Sequence, residues 1–128
     1  MWSRDQVAAK AAEEIADGLY VKLGIGIPPL VVANYISDKI IVILQSENGM
    51  FDMGPFPIEG QEDADRTNAG KQTITEQPHS CYLDSAQSFC MIRGGKSLMA
   101  ILGEMEVTEN GDIDNWMIPD KLVKGIAV

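Results

Sequence analysis

The chain has 128 residues, the length of one domain, which is enough to bury a hydrophobic core. Its formal net charge of −9 argues against a surface for nucleic acid or anionic membrane, since both need a basic face. No apolar run approaches the roughly 20 residues that span a bilayer, and the N-terminus lacks the apolar segment of a secretory signal. We therefore expect a single cytoplasmic domain, residues 1–128, that binds neither nucleic acid nor membrane.

The N-terminal segment is predicted to be a helix. Ser3 and Gln6 have the S-x-x-Q spacing of a capping box, and apolar residues then recur at helical spacing as far as Ile15. The pattern predicts a helix over residues 4–17, and the β-capable residues 19–23 are predicted to form the first strand.

A glycine-rich turn follows this strand. Gly24 and Gly26 begin the G-x-G-x-x-G pattern of dinucleotide-binding folds, but Pro29 occupies the place of the third glycine. A turn before a predicted helix, residues 29–36, can present backbone N–H groups to an anion or can simply reverse the chain. A small-molecule-binding α/β module that uses this turn is one hypothesis for the chain.

An unbroken apolar run, residues 40–44, comes shortly before Glu47, Asn48 and Gly49. Such a run is typical of a strand covered on both faces, as in a parallel sheet with helices above and below. The Asn-Gly pair permits a sharp turn. Because ligands of open α/β sheets bind beyond the carboxyl ends of the strands, we predict that Glu47 is the functional centre.

The next part of the chain has few regular patterns. Residues 51–70 are rich in Gly, Pro, Asp and Glu and predict a long loop, which in a compact domain is usually functional. Short strands are predicted over residues 72–75 and 98–102, the second of them buried. Between them, residues 85–92 are predicted to form a helix whose inward side chains are Ala86, Phe89 and Cys90.

Several local motifs are interpreted as structural features without a functional role. Gly94-Gly95-Lys96-Ser97 is not a P-loop, because Cys90 stands where the first glycine is required. Glu109-Asn110-Gly111 repeats the central tripeptide in charged surroundings and is predicted to be an exposed turn. The apolar residues 116–119 are predicted to dock a loop.

Residues that usually hold metal ions or form disulfides are scarce. Cys81 and Cys90 lie in a stretch with core character, so we expect reduced, buried thiols rather than a disulfide framework. The single histidine, His79, follows Pro78 in a predicted loop and is a poor candidate for a Ser-His-Asp triad. No metal site is expected within the chain.

Six short motifs, in order, resemble the B subunits of the 3-oxoacid CoA-transferases, of the acetoacetate or succinyl-CoA:3-ketoacid type. Ser46-Glu47-Asn48-Gly49 is the most specific of them, and the likeness covers nearly the whole chain. The others are Leu23-Gly24-Ile25-Gly26-Ile27-Pro28, Met53-Gly54-Pro55, Asn68-Ala69-Gly70-Lys71-Gln72-Thr73, Met91-Ile92-Arg93-Gly94-Gly95 and Asn115-Trp116-Met117-Ile118-Pro119.

The resemblance implies an α/β fold with an open, mostly parallel sheet flanked by helices. It implies a hetero-oligomer with a CoA-transferase A subunit, together with coenzyme A transfer between an acyl-CoA and a short carboxylic acid. It also implies that Glu47 is the covalent nucleophile, with no cofactor because coenzyme A is itself a substrate. Family members continue past the position of Lys124-Gly125, so we expect an N-terminal portion. A catalytically inactive fragment that only binds a partner subunit is the alternative.

The chemistry of this reaction suits a carboxylate nucleophile, because its intermediate must itself be an activated acyl group. An ordinary glutamate is ionised at neutral pH and needs no general base. The backbone N–H groups of Asn48 and Gly49, or those of the turn at Gly24 and Gly26, are candidate oxyanion donors. Candidate partners for a substrate carboxylate or a coenzyme A phosphate are Lys71, Arg93 and Lys96.

Overall fold

A computed structural model describes residues 2–26, 34–96 and 99–117 of the chain. Its main body is a five-stranded sheet in the order β4-β3-β2-β1-β5. The strands of this sheet are β1 Tyr20–Leu23, β2 Ile43–Ser46, β3 Met50–Met53, β4 Glu76–Tyr82 and β5 Met99–Ile101. The described ranges also contain helices α1 Arg4–Ala12 and α2 Ser85–Arg93, and a hairpin of β6 Glu106–Val107 with β7 Ile113–Asp114.

The direction of the strands agrees with the predicted fold class. Strand β1 pairs in parallel with β2 on one side and with β5 on the other, whereas β3 is antiparallel to both β2 and β4. Within this sheet, β3 therefore runs against the remaining strands. The α/β fold with an open, mostly parallel sheet is confirmed.

The hydrophobic core lies against one face of the sheet. Val21 and Leu23 of β1 are almost completely buried, and a cluster of further apolar side chains packs with them. Because side chains alternate along a strand, Tyr20 and Lys22 lie on the opposite face. The rest of the buried cluster consists of Ile15, Met50, Met53 and Ile74.

Helix α1 is shorter than the predicted helix over residues 4–17. Its predicted capping box is confirmed, since Gln6 N–H donates to Ser3 Oγ and Ser3 N–H donates to Gln6 Oε1. After Ala12 the chain leaves the helix and bonds instead to Ile41, in the segment before β2. Asp17 Oδ1 accepts the Ile41 N–H at 2.7 Å, and Gly18, with φ 78°, donates its N–H to Ile41 O at 2.7 Å.

The central strand starts later than predicted. The apolar run predicted a covered strand over residues 40–44, but β2 spans Ile43–Ser46 and Ile41 is 75% exposed. The backbone of Ile41 bonds to the chain after α1, outside the ladder between β1 and β2. The β-branched composition therefore indicated that a strand is present but did not predict its first residue.

The buried side of α2 also differs from the prediction. The helix over residues 85–92 is confirmed as Ser85–Arg93, but Ala86, Phe89 and Cys90 are exposed and Ser88 is the buried residue. Helix α2 meets the sheet through a polar contact at Ser88 rather than through an apolar stripe. Cys81 is exposed as well, so the prediction of buried thiols is wrong for both cysteines.

The remaining predictions vary in outcome. Residues 72–75 form no regular strand, although Thr73 makes an isolated bridge to Thr67. The predicted strand over residues 98–102 is present as β5, which is a partly exposed edge strand rather than a buried one. The long loop predicted over residues 51–70 begins only after β3.

Near the C-terminal end of the described chain, Gly111, with φ 87°, lies in the predicted exposed turn between β6 and β7. In the described part of the predicted apolar patch, Trp116 is 62% exposed and Met117 is half-buried, so Trp116 does not dock a loop as predicted. Most of the predicted helix over residues 29–36, together with Ser97, Leu98 and residues 118–128, lies outside the described residues. The described helices are all too short or too polar to cross a membrane.

Candidate active site

Glu47 is the first residue beyond β2, the middle strand of the sheet. With Asn48 and Gly49 it forms the turn that joins β2 to β3. The Gly49 N–H closes this turn by donating to Ser46 O at 3.0 Å. The predicted sharp turn is therefore present, and it places a carboxylate at the edge of the sheet where parallel strands β1 and β2 end.

Gly49 fits this turn because it has no side chain. Its φ of 124° is one that L-residues rarely adopt. A Cβ at this position would lie 2.1 Å from Leu83 O, while Leu83 N–H donates to Gly49 O at 2.8 Å. The backbone before α2 is thus packed directly against the turn.

The loop before β4 holds the turn from another side. Asn48 Nδ2 donates to Thr67 O at 2.7 Å, and the Ala69 N–H donates to Ser46 Oγ at 2.8 Å. Within the same loop, the buried Asn68 accepts the Gln72 N–H on its Oδ1 at 3.1 Å. The long loop that the sequence marked as functional therefore supports the turn that carries Glu47.

A buried polar contact joins α2 to the sheet beneath the turn. Ser88 Oγ accepts a hydrogen bond from Gln45 Nε2 at 3.0 Å and donates to Glu47 O at 3.2 Å. Gln45 and Ser88 are 1% and 0% exposed, so neither can exchange this contact for water. The contact fixes the backbone of Glu47.

We expect Ser88→Ala to lower the free energy of unfolding by about 1–3 kcal/mol, because the buried Gln45 Nε2 would keep only its longer contact to Ser88 O at 3.4 Å and Glu47 O would lose the hydroxyl donor. Urea denaturation of the two proteins measures the difference. Ser85→Ala, at an exposed position of the same helix, is the matched control and should change the free energy by no more than about 0.5 kcal/mol. Equal losses for the two variants would contradict this role of Ser88.

Lys22 forms a largely buried ion pair with Glu47. Its Nζ lies 3.0 Å from Glu47 Oε2, and the two side chains are only 6% and 15% exposed. Oε2 makes no hydrogen bond of normal geometry with any described residue, so the ammonium lies close to it but off the hydrogen-bond direction. The contact is therefore mainly electrostatic. Lys22 Nζ also lies 5.8 Å from the centroid of the Phe89 ring.

Neither of two cavities in the described part of the chain includes Glu47. One, of about 420 Å³, lies along the segment before β2 and reaches β3 and His79. The other, of about 560 Å³, is lined by the β6–β7 hairpin. No group of three His, Cys, Asp or Glu side chains in the described ranges is arranged to hold a metal ion. The Glu47 carboxylate lies outside both of these cavities, at the carboxyl end of β2 and beside Lys22.

Comparison with known proteins decides the family. Residues 4–127 match the coenzyme A transferase family. The chain belongs to that family. The predicted resemblance to the B subunits of these transferases is confirmed by relatives that match almost all of the chain.

The chain is 58% identical over 125 residues to the probable B subunit of the succinyl-CoA:3-ketoacid coenzyme A transferase of Bacillus subtilis, covering 98% of this chain and 57% of that protein. It is 54% identical over 124 residues to the corresponding B subunit of Helicobacter pylori, covering 97% and 59%. Against the human mitochondrial succinyl-CoA:3-ketoacid coenzyme A transferase 2 it is 51% identical over 125 residues, covering 98% and 24%. The chain thus spans less than two thirds of the length of these relatives.

The structure brings some predicted site residues of this CoA-transferase chain to one edge of the sheet. Leu23 of β1 is paired with Ser46 of β2, so Gly24 and Glu47 are the next residues beyond two adjacent strand ends. Gly26 is exposed, with φ 104°.

The predicted cations lie farther along the chain and are exposed. Lys71, with φ 60°, belongs to the loop that holds the turn, and Arg93 is the last residue of α2. Lys96 is exposed as well. Among the described residues, the ion pair of Glu47 is made by Lys22 and by none of these three. Their roles in binding substrate or coenzyme A stay predictions.

The candidate oxyanion donors differ in availability. The Gly49 N–H is bonded to Ser46 O, and the Gly24 N–H donates to Ile101 O at 3.0 Å. The Asn48 N–H makes no hydrogen bond with another described residue, and the Asn48 side chain is occupied by Thr67 O. Of these three N–H groups, that of Asn48 is free to meet a ligand.

Sequence reasoning missed Lys22, the residue nearest to the Glu47 carboxylate. A weak signal was present, because this lysine stands between the apolar residues Val21 and Leu23 in a short predicted strand. Its side chain must lie on the face opposite to theirs. Its pairing with Glu47 depends on the register of β1 and β2, which no local pattern shows.

Proposed function

We propose that this chain takes part in moving coenzyme A between an acyl-CoA and a short carboxylic acid, such as a 3-oxoacid, and that Glu47 carries the group. The observation that carries the proposal is the placement of Glu47 in a rigid turn at the end of the middle strand. Family membership supports the transfer chemistry, and the names of the relatives support the substrate class.

The proposed reaction proceeds through activated forms of Glu47. The Glu47 carboxylate attacks the carbonyl carbon of the acyl-CoA, forms a mixed anhydride and releases the coenzyme A thiolate. The thiolate attacks the Glu47 carbonyl carbon, forms a glutamyl thioester and releases the first carboxylic acid as its carboxylate. A second carboxylate reverses these steps. Because one thioester is exchanged for another, the reactants and products have similar free energies. The reaction therefore requires no nucleotide, metal or further cofactor.

The surroundings of Glu47 suggest roles for the other predicted residues. We propose that the Asn48 N–H, which makes no hydrogen bond with another described residue, donates to an oxyanion on a bound carbonyl, while Gly49 shapes the turn. Gly24 and Gly26 provide backbone at the adjacent strand end, and Lys71 and Arg93 provide positive charge for a substrate carboxylate or a coenzyme A phosphate. We further propose that the chain forms a hetero-oligomer with a CoA-transferase A subunit, since relatives are named as B subunits. We also propose a cytoplasmic location.

Chemical trapping tests the proposal. The chain is mixed with an A subunit of the same family, incubated with acetoacetyl-CoA or succinyl-CoA, and then treated with hydroxylamine or borohydride. We expect peptide mass spectrometry to find a hydroxamate or an alcohol at Glu47 only when acyl-CoA was present. Glu109, in the second Glu-Asn-Gly tripeptide, is the internal control and should stay unmodified.

Two results would contradict the proposal. Label on another residue would show that Glu47 is not the nucleophile. A stable complex of the two subunits that takes up no acyl-CoA-dependent label would favour the alternative, a chain that binds a partner subunit without catalysis.

A further inference from the structure

The partner of the Glu47 carboxylate is a buried cation on the neighbouring strand. Lys22 is 5% exposed, and its strand neighbours Val21 and Leu23 belong to the core on the other face of the sheet. Pairing of Lys22 with Gln45 in the parallel register of β1 and β2 brings the lysine beside the end of β2. The Lys22 ammonium thus reaches Glu47 Oε2 from a fixed strand rather than from a loop.

We propose that Lys22 is a positioning residue that holds Glu47 by one carboxylate oxygen and biases it toward its free, ionised form. This inference rests on the proposed function of Glu47. Two contacts define the holding geometry, the Lys22 ammonium at Oε2 and Ser88 Oγ at the Glu47 backbone carbonyl oxygen. With Oε2 buried against Lys22, the other carboxylate oxygen is the one left to attack a carbonyl carbon.

The bias follows from the movement of charge in the reaction. When the acyl-CoA reacts, its C–S bond breaks and a new C–S bond forms at Glu47 Cδ. One Glu47 oxygen and the negative charge leave in the carboxylate product. Glu47 is then a neutral thioester, whereas Lys22 keeps its positive charge in a buried position without the counter-charge it had before. A buried, unpaired cation is unfavourable, so Lys22 stabilises the carboxylate state relative to the thioester state.

The size of this bias can be estimated. The attraction between two opposite unit charges about 4 Å apart changes an equilibrium constant by a factor of roughly 5 in water and about 1,000 in a partly desolvated site. Since the pair is not completely buried, we expect the lower end of that range. Lys22 therefore keeps the covalent form of Glu47 from accumulating and favours its discharge to the next carboxylate.

The experiment measures the thioester at equilibrium. Wild type, Lys22→Met and Lys22→Arg are each combined with the A subunit, then incubated with fixed concentrations of succinyl-CoA and succinate. Intact-mass spectrometry gives the ratio of chain carrying coenzyme A to free chain. We expect this ratio to rise about tenfold in Lys22→Met, because the attraction between the two charges is lost. It should stay near the wild-type value in Lys22→Arg, which keeps the charge, and in the exposed control Lys10→Met.

Lys22→Met leaves the Glu47 carboxylate without its cation and could fail to fold, so a second neutral variant is included. Lys22→Gln keeps a polar side chain at the same position, and a thermal melt identifies which variant is folded. A merely structural role would lower the melting temperature without raising the thioester ratio. An unchanged ratio in a folded neutral variant overturns the inference and leaves the proposed function standing. No thioester in the wild-type protein overturns the proposed function and this inference together.

Discussion

Glu47→Gln should lower the rate of coenzyme A transfer by roughly 10⁴-fold or more, because an amide cannot form the anhydride and the thioester of the proposed reaction. The amide has nearly the same shape, so the turn should keep its hydrogen bonds through Ser46 O and Leu83 N–H. The measurement is the steady-state formation of acetoacetyl-CoA from succinyl-CoA by the chain combined with the A subunit.

The matched control for this variant is Glu109→Gln, since Glu109 occupies the first position of the same tripeptide in an exposed turn. It should keep the wild-type rate. Glu47→Gln also removes the charge that faces Lys22, so we expect a lower melting temperature, and the rate must be measured below it. Full activity of folded Glu47→Gln would rule out Glu47 as the nucleophile.

Gly49→Ala should destabilise the fold by about 3 kcal/mol or more, through the combined cost of strained backbone and steric overlap. The new Cβ would lie 2.1 Å from Leu83 O, a backbone atom of a residue whose own N–H is bonded to Gly49 O. The φ of 124° is also unfavourable for alanine. Chemical denaturation, followed by circular dichroism, measures the loss.

Gly111→Ala separates the two causes of this loss. Gly111 has a positive φ of 87°, but a Cβ there would meet nothing within 4 Å. Only backbone strain remains, so we expect a loss of about 1–2 kcal/mol. If both alanine variants lost the same free energy, packing of Leu83 against the turn would not explain the need for glycine at position 49.

The turn that carries Glu47 could be located from the sequence because its signals are local. An apolar β-branched run, a carboxylate and an Asn-Gly pair in succession predict a strand that ends in a turn carrying Glu47. The capping box at Ser3 and the turn at Gly111 were found for the same reason. In each case the responsible contacts join residues only a few positions apart.

The end residues of the strands and helices, and the faces that these elements bury, were harder to predict. Ile41 belongs to an apolar run but is exposed, because its backbone bonds to Asp17 and Gly18 rather than to the ladder of β1 and β2. Phe89 and Cys90 are apolar but exposed, since α2 meets the sheet through Ser88. Hydrophobicity indicates that a segment tends to be buried, but distant hydrogen-bonding partners decide where it lies.

The sequence by itself indicated the α/β fold class and the turn that carries Glu47, because periodicity, capping and turn chemistry act over a few residues. It indicated the family through the resemblance of six short motifs, which the relatives confirm. Only the tertiary structure decided what surrounds Glu47. The pairing of Lys22 with Glu47 depends on the register of two parallel strands, and the contact of Ser88 with Gln45 on the docking of α2. These contacts join parts of the chain far apart in sequence, so no local pattern determines them.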